Sequence, residues 1–97
     1  MSPATRRLTH DELAVARLSL PGWQVHAGVE LRRTFTFPDY DATIAFVNAV
    51  AKIAVAQDHH PELLVGYSTC EVRWSTHSVG GISQKDFDCA GLVDQVG

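Results

Sequence analysis

Apolar and polar positions along the chain switch repeatedly between a helical and a strand period. Thr9-x-x-Glu12 is a capping-box pattern. Leu13, Ala16, Arg17 and Leu20 continue at helical spacing until Pro21-Gly22 stops them, which predicts a short helix from about Asp11 to Leu18. From Trp23 to Phe37 the period shortens to two, with a turn near Ala27-Gly28. In "LRRTFTF", Leu31, Arg33, Phe35 and Phe37 share one face, and Arg32, Thr34 and Thr36 the other. Pro38 ends that strand, and Asp39 is placed to cap the next helix.

Tyr40 to Gln57 carries the strongest helical signal. Phe46, Val47, Val50, Ile53 and Ala54 form one apolar stripe, and only Asp41 and Lys52 are charged. A helix this apolar all round calls for burial on more than one side. Leu63 to Tyr67 and Cys70 to Ser75 read as a second strand pair, with Cys70, Val72 and Trp74 on one face. Gly80-Gly81 is a loop. Ser83-x-x-Asp86 opens a last helix whose inward stripe is Phe87, Ala90, Val93 and Val96. The order is α-β-β-α-β-β-α. It predicts an α+β fold, a four-stranded antiparallel sheet with three helices packed on one face.

With 97 residues, the chain is one domain's worth, residues 1–97. A chain of this size buries roughly 60–65% of its unfolded surface, so self-association is expected from burial alone. The formal charge is −3, and the Lys and Arg residues are scattered. No basic stripe exists to displace counterions, so nucleic-acid binding is not expected. The uncharged run from Ala42 to Ala51 is too short to span a bilayer, and "LTHDELAVARL" is amphipathic rather than a signal sequence. Cys70 and Cys89 form no CxxC pair and read as reduced, packed thiols. A cytoplasmic protein is expected.

Three of the five histidines fall between Gln57 and Asp86: His59, His60 and His77. His10 and His26 read as surface residues. His59-His60-Pro61 sits where the proline must end the long helix or its exit turn. His77 lies just past a strand end, and chemistry is often placed at such loop positions. Neighbouring histidines in a turn diverge, and no HExxH pattern or cysteine pair accompanies them, so no metal centre is predicted. No nucleophile elbow surrounds Ser75, Ser78 or Ser83. Proton transfer near neutral pH remains, and it suits imidazole.

"HHPELLVGYSTCEVRWSTHSVGGISQKD" closely resembles the signature of the pterin-4a-carbinolamine dehydratases. That signature is His-His-Pro, five residues, an aromatic, nine residues, His and then Asp, here His59-His60-Pro61, Tyr67, His77 and Asp86. "STHSVGGIS" matches a further family segment, and the likeness runs roughly from Leu8 to Val96. The resemblance implies the fold read above, with dimers formed through sheet edges and tetramers through helices. It also implies removal of water from a 4a-hydroxytetrahydropterin, giving the quinonoid dihydropterin, with no metal or bound cofactor. His59, His60 and His77 would supply acid and base. Asp86 would orient an imidazole or bind the pterin, and Pro61, Glu62, Tyr67 and Thr76 would contact it.

Two positions depart from the pattern. The family has a polar residue, usually Glu, four positions before the first histidine, where this chain has Val55. One helical turn separates the two, so the missing carboxylate is expected to have faced the histidine. Leu63 replaces a frequent aromatic and removes a stacking surface. Two readings follow. The first is a dehydratase of reduced activity. The second is a catalytically silent assembly factor for RuBisCO, as in dehydratase-like proteins linked to α-carboxysomes, with RuBisCO as partner and a bacterial cytoplasmic or carboxysome-associated location.

Overall fold

The structure, a computed structural model, describes residues 6–97. Helix α1 (His10–Ala16) begins on the expected capping box. Thr9 Oγ1 accepts from the Glu12 N–H at 3.2 Å, and Glu12 Oε1 accepts from the Thr9 N–H at 2.8 Å. Arg6 grips the same carboxylate through two 2.7 Å bonds. With the Thr9 N–H, it holds Glu12 down at about 2. The helix is shorter than expected, because it tightens into a 3-10 turn over Arg17–Ser19 before Pro21-Gly22.

Strands β1 (Gln24–His26) and β2 (Glu30–Thr36) flank a turn in which Ala27 and Gly28 both have positive φ. Helix α2 (Tyr40–Gln57) has the predicted bounds, and its cap is Asp39, whose Oδ1 accepts from the Ala42 N–H at 2.8 Å. Strands β3 (Glu62–Val65) and β4 (Thr69–Trp74) follow, and α3 (Gln84–Val96) closes the chain. Strand β3 is shorter than the expected run to Tyr67, because the Gly66 N–H turns to the Thr69 carbonyl at 2.8 Å.

The sheet is antiparallel, in the order β1-β2-β4-β3. Leu31 lies opposite Trp74, Phe35 opposite Cys70, and Leu63 opposite Val72, so one face is apolar. Helices α2 and α3 cover it through Phe46, Val50, Ala54, Phe87, Ala90 and Val93. Val47 and Ile53 flank this core, as expected of the α2 stripe. The opposite face is polar, with Glu30–Arg32 and Glu71–Arg73 ion pairs at 2.5 Å. The period-two alternation is the physical origin of both faces.

Two details differ from expectation. Val96 is exposed rather than inward, because steps of three residues lag a 3.6-residue turn and carry the stripe to the helix's edge. Thr43, absent from the expected stripe, is fully buried. Its hydroxyl lies 2.9 Å from the carbonyls of Asp39 and Tyr67, which ties the start of α2 to the β3–β4 turn.

Cys70 and Cys89 are free and buried, as expected. Burial pushes the Cys70 thiol up. Burial, then the charges of Asp86 and Asp88, push Cys89 up to about 11 from its ordinary 9.0. Neither thiol is therefore expected to react with a disulfide reagent at pH 8 until the chain unfolds, which a timed labelling experiment checks. The raised Cys89 value also sets a sign for stability. Its contribution is complete below pH 9 and is lost as pH rises through about 11.

Candidate active site

The long helix ends in a way that decides where the paired histidines go. Asp58 takes the left-handed conformation, with φ 49 and ψ 44. Its N–H reaches back to the Val55 carbonyl at 3.3 Å, and the His59 N–H to the Ala54 carbonyl at 3.1 Å. This is the Schellman arrangement, with Asp58 in the position usually held by glycine. It reverses the chain and turns His59 inward, leaving its side chain 12% exposed.

Inside, His59 meets Asp86. Nε2 lies 2.5 Å from Asp86 Oδ1, and the carboxylate has no solvent exposure. Asp86 stands in the first turn of α3, where Ser83-x-x-Asp86 predicted a cap. Its Oδ2 accepts from the Ser83 N–H at 2.9 Å and from the Thr76 hydroxyl at 2.8 Å. A third hydroxyl joins, with Ser83 Oγ 2.7 Å from Thr76 Oγ1. A hydroxyl has one hydrogen to give, and Thr76 gives its hydrogen to the carboxylate. Ser83 must therefore donate to Thr76. Both oxygens of the buried carboxylate face donors, one on Oδ1 and two on Oδ2, as a charge held out of water requires.

The same bookkeeping sets the tautomer of His59. A carboxylate only accepts, so the imidazole hydrogen lies on Nε2 and the Nδ1 lone pair is free in the neutral ring. Among the described residues, Nδ1 has no hydrogen-bond partner. A proton taken at Nδ1 makes an imidazolium already in contact with its counter-ion. Aspartate plays this role beside histidine in hydrolytic triads. The ring also lies parallel to Trp74, with centroids 5.4 Å apart and planes 14° apart.

His60 and His77 are both exposed. His60 follows His59, and His77 follows Thr76, so each is one residue beyond a partner of Asp86. His77 opens a 3-10 turn, His77–Val79, closed at its base by a Thr76–Gly81 bridge. The Thr76 N–H donates to the Gly81 carbonyl at 2.8 Å, and Gly80 supplies the left-handed residue with φ 67. Pro61 is half-buried and Glu62 exposed, at the near end of β3.

Tyr67 is the exception among the expected site residues. It lies in the β3–β4 turn, 72% exposed and stacked on Tyr40 at 6.1 Å. The length of β3, about 10 Å of extended chain, separates it from His60 and Glu62. Within one chain it belongs to the other end of the sheet. His10 and His26 are exposed, as expected.

The two departures from the signature look different in three dimensions. Val55 was expected to stand where a carboxylate would face the first histidine. It is instead 75% exposed on the outer side of α2, and the partner of His59 is Asp86. The helical-spacing argument fails because the helix stops at Gln57 and Asp58 reverses the chain. Val55→Glu is accordingly expected to change stability by no more than about 0.5 kcal/mol, as for an ordinary surface substitution. A larger shift in its urea midpoint would contradict that placement. Leu63, for its part, packs at the edge of the core rather than beside the histidines.

Sequence reasoning missed Ser83 and Trp74 as members of the site. Ser83 had one available signal, its capping pattern, and Trp74 had none beyond its place on the core face. A groove of about 700 Å³ runs between α1 and α3, lined by residues such as Val15, Leu20 and Phe87, and no histidine lines it. Among the described residues, no three His, Cys, Asp or Glu side chains converge to hold a metal ion. No described helix is long and apolar enough to cross a membrane.

Comparison with known proteins adds the context for this site. The profile described as pterin 4 alpha carbinolamine dehydratase matches residues 6–96. A relative bearing that family's name in Xanthomonas oryzae pv. oryzae is 52% identical over 93% of this chain and 85% of its own length. One in Nitrosospira multiformis is 44% identical over 90% of this chain and 76% of its own. Among solved structures, a transcriptional coactivator/pterin dehydratase from Brucella melitensis superposes with a TM-score of 0.89. It is 33% identical, over 94% of this chain and 98% of that one. A pterin dehydratase-like protein identified as a RuBisCO assembly factor in the α-carboxysome shares the fold at a TM-score of 0.67. Its identity is 22%, over 77% of this chain and 88% of that one.

Proposed function

The chain belongs to the pterin-4a-carbinolamine dehydratase family, and from that membership we propose that it dehydrates a 4a-hydroxytetrahydropterin to the quinonoid dihydropterin by histidine acid–base catalysis. The observation that carries this reading is the buried His59–Asp86 pair, with the exposed His60 and His77 each one residue along the chain from a partner of that carboxylate. The chemistry asks for two proton transfers. The leaving hydroxide needs an acid at its oxygen, and a ring nitrogen must give its proton to a base. Each such transfer is typically worth about 10²–10⁴ in rate. In this reading His59 works through Nδ1, with Asp86 holding Nε2 and steadying the imidazolium. His60 and His77, both exposed, are the candidates for the second transfer. Pro61 and Glu62 border the bound pterin, buried Thr76 acts behind them on Asp86, and the three histidines act without a metal ion.

The reading includes self-association. Leu64 and Val65 are exposed on edge strand β3, and Val55 on the outside of α2. Unpaired strand edges and apolar helix faces of this kind favour a dimer or tetramer. A bacterial cytoplasmic setting goes with it.

The test is a dehydration assay of the wild type against buffer, alongside His60→Ala and His77→Ala. Acceleration that falls in both variants is expected. A wild type no faster than buffer, or variants equal to it, would defeat the reading. A second reading is a catalytically silent chain acting as an assembly factor for RuBisCO, the role of the α-carboxysome relative that shares this fold. Against that stands the buried carboxylate held on His59. Co-expression with RuBisCO subunits separates the two, since only the second reading expects a higher yield of assembled enzyme.

A further inference from the structure

A single hydrogen bond fixes one atom of a ring and leaves the ring free to swing about the bond. His59 is held by Asp86 through Nε2 alone. Its plane must be set by something else, and among the described residues the aromatic ring stacked on it is Trp74. That indole is fully buried as the last residue of β4, opposite Leu31 in the sheet. Its plane lies within 14° of the imidazole plane, at a centroid distance of 5.4 Å. Offset stacking of this kind is a favoured aromatic geometry.

Core packing does not account for an indole at this position. Trp74 Nε1 is a buried side-chain nitrogen with no hydrogen-bond partner among the described residues. A buried donor left unpaired is unfavourable, and a purely hydrocarbon side chain would carry no such penalty. The other tryptophan, Trp23, is equally buried, yet its Nε1 donates to Asp94 Oδ1 at 2.8 Å. At residue 74 the broad flat face is retained although its polar atom is unsatisfied.

We propose that Trp74 is a positioning residue, whose indole face locks the plane of the His59 imidazole so that Nε2 stays on Asp86 and Nδ1 is the nitrogen left for proton transfer. The catalytic part of this inference rests on the dehydratase reading above. The structural part does not. The end of strand β4 therefore places Trp74 beneath the ring, and Thr76, two residues past the strand, bonds the carboxylate.

The test compares wild type, Trp74→Phe and Trp74→Met by nitrogen-detected NMR of the His59 ring and by dehydration kinetics. Wild type should show one neutral tautomer, hydrogen on Nε2, with the His59 ring protons moved upfield by the indole. Trp74→Met, which fills space without a flat face, should give mixed tautomers. Its kcat should fall about tenfold, with KM within about twofold, as for a misaligned catalytic group. Trp74→Phe should keep both properties. An unchanged tautomer and kcat in Trp74→Met, or equal losses in both variants, would overturn the proposal. If Trp74→Met does not fold, the wild-type spectrum decides, since mixed tautomers or absent ring shifts there overturn it equally. A wild type inactive on the carbinolamine, with a single tautomer that Trp74→Met mixes, would remove the dehydratase reading and leave the positioning role standing.

Discussion

Asp86→Asn should lower kcat for dehydration by about 10²–10⁴-fold while leaving KM within a few-fold. The amide oxygen can still accept from the Thr76 hydroxyl and the Ser83 N–H, which are 2.8 and 2.9 Å from Oδ2 in the native protein. The amide nitrogen then faces His59 Nε2 and can only donate to it. Neutral His59 must shift its hydrogen to Nδ1, the atom that has to be bare to take a proton. The counter-ion for the imidazolium is lost in the same step. Stability should fall by only about 1–3 kcal/mol, because two of the three donors keep an acceptor. Asp86→Ala, by contrast, strands all three and should remove about 3–5 kcal/mol. Steady-state kinetics and urea unfolding of both variants separate the chemical effect from the structural one. An Asp86→Asn enzyme with native kcat would refute the role given to His59.

Trp23→Ala is expected to cost about 3–5 kcal/mol of stability, as much as Asp86→Ala but through lost packing. Trp23 is fully buried and meets the Phe35 ring edge-on at 6.1 Å. Its Nε1 shares Asp94 Oδ1 with Arg33 Nη1, each at 2.8 Å. The Arg33 guanidinium in turn lies 4.5 Å from the centre of the Phe35 ring. One deletion therefore opens a cavity and loosens an arginine that covers the core. A domain of this length is stabilised by roughly 5–15 kcal/mol in total, so a large share would go. Trp23→Phe keeps the ring and loses the hydrogen bond, and should cost about 1–2 kcal/mol. Urea midpoints measure both. A Trp23→Ala protein within 1 kcal/mol of wild type would show that the cluster is not where the fold's stability resides.

The fold was legible because local rules and global packing agree along most of the chain. Alternation in "LRRTFTF" put Leu31 and Phe35 on the buried face, and the Tyr40–Gln57 stripe is the one that packs on the sheet. Caps at Thr9, Asp39 and Ser83 each lie within four residues of their partners, so sequence spacing reports them directly. Arg33 fitted less well. It sits on the apolar face of β2, where its charge is accommodated by Asp94, sixty-one residues away, by the face of Phe35 and by partial exposure.

The candidate site was half legible. The clustering of His59, His60 and His77 was visible in the residues themselves, while the resemblance to the dehydratase signature added Asp86 and also Tyr67, which one chain places at the far end of β3. Spacing misjudged Val55 because a helical period was extended past the residue where the helix ends. A single left-handed residue, Asp58, redirects everything after it.

The order of the elements, their caps, the buried faces and the histidine pattern are properties of neighbouring residues, and the chain by itself determines them. Partners far apart in sequence had to be brought together by the assembled sheet and its helices. His59 with Asp86, Trp74 beneath His59, and Asp94 beneath Trp23 and Arg33 carry no periodic trace, because a contact across the core depends on how whole elements pack rather than on spacing along any one of them.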